Sequence, residues 1–149
     1  MYSLVLGLHS WLRWAALIVL VLSFVLALRG DNGPLAKKAS LFTLISFHLQ
    51  LVFGLLLYAG LSPITEAAFA DFGAAMKDAA TRFWAVEHLT GMLIAIVLVS
   101  LGHILGKKAL EDSAACKRRL IFFGAGLLLT LLLIPWPFRA AGRALFWFG

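Results

Sequence analysis

The chain has 149 residues, 62% hydrophobic and 13% charged, with a mean hydropathy of +0.97 and a formal net charge of +6. Soluble domains hold about 45–50% apolar and about 25% charged residues, so a soluble enzyme, a disordered chain and a disulfide scaffold are excluded. The lone cysteine, Cys116, allows no internal disulfide, and the basic excess on so apolar a chain points to cytoplasmic loops, not to nucleic acid.

Four apolar stretches lie at 4–28, 41–60, 83–105 and 120–136. Each approaches the ~20 residues that a helix needs to cross ~30 Å of hydrocarbon. Strand alternation is absent, and lipid requires backbone groups to be satisfied within each span. The expected fold is an all-α membrane protein. It is one transmembrane domain over 1–149, a four-helix antiparallel bundle with both termini on the outer side.

The first stretch reads as a retained span. It lacks a basic leader, its apolar run is too long, and no small-residue site closes it. The connection after it carries Arg29, Lys37 and Lys38, and the one before the last span carries Lys107, Lys108, Lys117, Arg118 and Arg119. Lys77, Arg82, Arg139 and Arg143 lie on the other side, with Glu66, Asp71 and Asp78 beside them. The excess of Lys and Arg places the first and third connections in the cytoplasm, together with Cys116.

Segment 62–80 is expected to be an outer amphipathic helix. Ser62-Pro63 is a helix-start signal, and Phe69, Phe72 and Met76 follow at helical spacing. Residues 143–149 form a second interfacial piece. Trp11, Trp14, Trp84, Trp136 and Trp147 fall near the outer ends of spans, as an aromatic belt does.

Ionisable groups inside a membrane are costly, so each needs a reason. Here they are His9, Arg13, His48, Glu87, His88 and His103, with Gln50 as a neutral companion. All four histidines lie in spans. By helical rise, His9 and His88 share a depth near the outer boundary, His48 sits near the middle and His103 near the cytoplasmic end.

Neutral imidazole is a metal ligand, and a bundle can hold a haem between facing helices. Depth makes His9 and His88 the preferred axial pair, with His48 as an alternative partner. A second haem between His48 and His103 is a further arrangement. Arg13 suits a haem propionate or an ion pair with Glu87, and it also suits simple snorkelling. Gly54, Gly91 and Gly102 suit either close approach of a macrocycle or helix packing. His103, beside Lys107 and Lys108, reads first as an interhelical hydrogen-bonder.

LHSWLRW (8–14), FHLQLVFGLLLY (47–58), RFWAVEHLTGMLIAIVLVSLGH (82–103) and IPWPF (134–138) carry a resemblance. Across nearly its whole length the chain resembles small bacterial four-span membrane proteins labelled cytochrome b-like. His9, His48 and His88 match that pattern, and His103 matches it less closely. The resemblance implies haem b, one or two per chain, and electron transfer in the bacterial inner membrane. The paired histidine spacing of di-haem cytochromes b is absent.

The reading is therefore a haem-b electron-transfer protein or subunit rather than a stand-alone enzyme. Its partners are the lipid bilayer and, near Glu87, Arg13 and Gln50, a quinone or other respiratory membrane proteins. Two alternatives stand beside it. One is a copper or zinc binding or assembly protein using His9, His48 and His88. The other is a structural subunit of a larger membrane complex.

Overall fold

The computed structural model describes residues 1–146. Trp147, expected in the aromatic belt, and the end of the interfacial piece at 143–149 lie outside the described residues. Those described contain helices and no strands.

Helix α1 (Tyr2–Leu28) is an uninterrupted run rich in Leu, Val and Ala. It stops at Gly30, whose φ of +72° only glycine adopts without strain. There the Gly30 and Asp31 amides donate to the Ala27 and Leu26 carbonyls and close the last turn. Asp31 Oδ1 accepts the Gly33 amide at 2.7 Å. Pro34 then opens α2 (Pro34–Leu56), at a position where its missing N–H leaves nothing unpaired. Helix α2 runs on into a wider π-helical turn, Leu57–Leu61.

The segment at 62–80 starts where its Ser-Pro signal predicts but is not one helix. It is α3 (Pro63–Ala70), α4 (Phe72–Lys77) and α5 (Ala79–Arg82). Two aspartates cause the breaks. Asp71 accepts the Ala74 amide at 2.9 Å, and Asp78 accepts the Thr81 amide at 2.7 Å, each capping a new helix. The Thr81 hydroxyl and amide also hold the exposed Asp78 carboxyl below the usual carboxylate range. A second π-helical turn, Phe83–Glu87, leads into α6 (His88–Lys107). Helix α7 (Asp112–Leu133) ends just before Pro135.

Among the described residues, three helical stretches are long and apolar enough to cross a membrane: Tyr2–Leu28, Pro34–Leu61 and Ala79–Lys107. The stretch expected at 120–136 falls short. Lys117, Arg118 and Arg119 occupy the early turns of α7, and the helix stops at Leu133. Residues 120–133 then span only ~21 Å of helix, against ~30 Å of hydrocarbon.

Helix α1 lies beside α2 and α7, and α6 lies beside the same two, so α1 and α6 face each other across the bundle. Its middle is filled by Leu20, Phe47, Ala95, Val99 and Phe123. Glycines set the close approaches of α6 to α7. A methyl at Gly102 would sit 2.7 Å from the Phe123 ring, and one at Gly91 would clash with a Leu133 methyl. Those two glycines are packing contacts, with Leu133 and Phe123 occupying the space beside them.

Two residues read from sequence as loop-side groups are buried. Cys116 is 5% exposed and Arg119 is 3% exposed. Gly106 leaves room for the Arg119 stem, and the guanidinium donates to Asn32 Oδ1, whose amide in turn donates to Asp112.

Candidate functional site

Residues 143–145 lie beside the start of α1 at one end of the bundle, and there the helices and this segment enclose a cavity of about 150 Å³. Its walls carry His9 and Arg13 from α1, Gln50 and Gly54 from α2, His88 from α6 and Arg143 from the C-terminal segment. Deeper, Leu17, Leu51, Met92 and Ile96 make it apolar. Among the described residues no wall side chain is acidic.

The His88 ring is held from several sides. Its Nδ1 lies 2.9 Å from the carbonyl of Leu133, the last residue of α7, where carbonyls have no intrahelical partner. A carbonyl can only accept, so Nδ1 carries the proton and Nε2 of the neutral ring keeps its lone pair. Phe83 and Trp84, on the π-helical turn, pack against the ring at 5.6 and 5.5 Å.

His9 is placed by α2. Gln50 Nε2 donates to the His9 carbonyl at 3.0 Å, and a methyl at Gly54 would sit 3.3 Å from the His9 Cε1. Glycine at 54 therefore makes room for the imidazole. Three buried polar atoms at this site have no hydrogen-bond partner: His9 Nδ1, Arg13 Nε and Gln50 Oε1.

The C-terminal segment folds back over the cavity. Beyond α7, the Arg143 amide donates to the Pro135 carbonyl, and Leu145 reaches α1. The Leu145 carbonyl accepts from Arg13 Nη2 at 2.6 Å and from Trp14 Nε1 at 3.0 Å. Arg143 lies 4.3 Å over the Trp84 ring and 3.3 Å from the Tyr2 hydroxyl. Tyr58 OH donates to the Ala85 carbonyl at 2.7 Å and so ties the two π-helical turns together.

The other candidate residues lie elsewhere. His48 is on the exposed face of α2, and its Nδ1 bonds the Leu44 carbonyl of its own helix at 2.8 Å. At 100° per residue, a helix that turns Phe47 and Gln50 inward must turn His48 outward. The set His9, His48 and His88 is therefore not assembled. Among the described residues no group of three His, Cys, Asp or Glu is placed to hold a metal ion.

His103 Nδ1 lies 2.9 Å from Ser40 Oγ, a bond between α6 and α2 near the opposite end of the bundle. His48, suggested as its partner for a second haem, is instead exposed on α2. Glu87 is exposed and pairs with Arg82 at 2.8 Å, not with Arg13. The polar trio suggested for a quinone is thus divided: Arg13 and Gln50 line the cavity, and Glu87 does not.

Sequence reasoning missed Arg143, Tyr58 and the Leu133 carbonyl as parts of this site. Arg143 gave no signal, because only the fold-back of the C-terminal segment brings it to α1. Tyr58 read as part of an apolar run. No family model, no curated protein and no solved structure matches the chain.

Proposed function

We propose that the chain is a four-span protein of the bacterial inner membrane that binds haem b through His9 and His88 and passes electrons within the membrane. The observation that carries this reading is the pair of imidazoles. They stand on helices that face each other across the bundle, and both line one cavity. His88 has its Nδ1 proton committed to Leu133, so Nε2 is left as a ligand atom. His9 has a buried Nδ1 without a partner.

The donor set fits a bis-histidine haem. Arg13 and Arg143 would face its carboxylates, and Leu51, Met92 and Ile96 its apolar face. The cavity volume of about 150 Å³ is below the ~300–1,000 Å³ of small-molecule pockets, so loading requires the walls to part. Bound haem supplies one-electron chemistry by cycling between ferrous and ferric iron. The chain's own part is to orient His88, make room for His9 beside Gly54 and keep water from the apolar faces.

Helix α7 serves as the fourth span, with the exposed Lys117 and Arg118 snorkelling to the surface. Both basic connections then face the cytoplasm, and the cavity opens toward the outer side. A quinone or another respiratory membrane protein is the redox partner in this reading.

The test is a reduced-minus-oxidised visible spectrum with a pyridine haemochrome assay on protein made with ample haem. Sharp b-type bands and one haem per chain are expected. They are lost in His9→Ala and His88→Ala and kept in His48→Ala. A featureless wild-type spectrum overturns the proposal.

A further inference from the structure

Among the described residues the cavity wall holds two guanidiniums and no carboxylate. Among the described residues the one ion pair is Arg82–Glu87, so neither Arg13 nor Arg143 has an anionic partner. Arg13 donates only to neutral acceptors, Ser10 Oγ at 3.5 Å and the Leu145 carbonyl at 2.6 Å, and its Nε is buried without a partner. Arg143 bonds the Tyr2 hydroxyl and stacks on Trp84. Placing two like charges around one poorly hydrated space is costly unless an anion sits between them. Just beyond them the cavity is lined by Leu17, Leu51, Met92 and Ile96.

We infer that this cavity is a binding site for the carboxylate head of an amphiphile, with Arg13 and Arg143 taking the head and the leucine-rich depth taking the apolar body. This goes beyond iron ligation by His9 and His88 and holds for the cavity without any metal. Two sources supply such a carboxylate: a porphyrin, through its propionates, and a free fatty acid. A guanidinium meeting a carboxylate makes charge-assisted bonds that an ester cannot match.

The test is fluorescence and competition binding to the full chain in nanodiscs. The probes are iron-free protoporphyrin IX, its dimethyl ester, oleate and methyl oleate. No iron is present, so the histidines cannot report. At least one acid should bind about tenfold or more better than its ester. That preference should fall in Arg13→Gln and Arg143→Gln and return in Arg13→Lys and Arg143→Lys. Arg143→Gln leaves the backbone tie of Leu145 to α1 in place, which separates loss of charge from loss of fold. Preference for the porphyrin acid alone assigns the site to propionates; preference for oleate alone assigns it to a lipid-derived acid. Equal binding of acid and ester, or a preference that survives both glutamine variants, overturns the inference. A haem spectrum with no acid preference would leave the haem reading standing and sink this one; an acid preference with no haem spectrum would do the reverse.

Discussion

The two ends of the bundle treat polar groups in opposite ways. At the end carrying the short connections, buried polar side chains find protein partners. Ser40 meets His103 at 2.9 Å, Ser23 meets Thr43 at 2.9 Å, and Arg119 reaches Asp112 through Asn32. Among the described residues, only Arg119 Nε of the buried polar atoms left without a partner belongs to that end. The end carrying the start of α1 leaves His9 Nδ1, Arg13 Nε and Gln50 Oε1 unpaired around a cavity. A buried polar atom without a partner costs about 1–3 kcal/mol. Satisfied polar groups lock the helices at the one end, and most of the unsatisfied ones gather around the cavity at the other.

Substitutions should separate the two ends. The largest effect on stability is expected at the middle of the bundle. Phe123 is fully buried, and Phe123→Ala should lower the unfolding free energy in detergent by about 3–5 kcal/mol. The haem bands should change little; their complete loss in a protein that is still folded would undo the division into a locking end and a binding end. Next comes Gly54→Leu, which pushes on the His9 ring without removing a ligand. Haem affinity should fall by roughly tenfold or more, as for changes behind a ligand, while thermal stability holds.

Ser40→Ala removes one bond between α2 and α6. Stability should fall by about 1 kcal/mol and acid binding should stay unchanged. Topology is tested at Leu110, which is 100% exposed, because the native Cys116 is buried. In a Cys116→Ser background, Leu110→Cys should react with an impermeant maleimide only after the cytoplasmic face is opened. Labelling in intact cells would invert the orientation.

The smallest effect is at Asp78. Its carboxyl is held below the usual range when folded, so its contribution is present above the unfolded value of about 4 and is lost as pH falls through the lower folded value. Protection of the Thr81 amide, measured against its intrinsic exchange rate at each pH, should therefore fall on acidification, and Asp78→Asn should blunt that response.

Much of the fold was legible because it rests on local rules. Runs of Leu, Val and Ala mark the long helices, and Pro34, Pro63 and Pro135 fall at helix boundaries as their missing N–H requires. The break of 62–80 was written in Asp71 and Asp78, two capping residues inside a pattern read only for its hydrophobic spacing. The shortfall of α7 was written in the cations at 117–119.

Composition together with the absence of strand alternation determined an all-helical, membrane-suited chain, since lipid admits only helices and closed barrels. Depth along each helix also followed from sequence, and it paired His9 with His88 because helical rise is constant. Direction around the helix decided the rest. Only packing turned His48 outward, tied His103 to Ser40 and sent Glu87 to Arg82. Only the fold-back of the C-terminal segment brought Arg143 into a cavity with Arg13, a residue far away in the chain. A helix has a fixed rise but no fixed rotation until its neighbours choose its buried face, and that choice belongs to the tertiary structure.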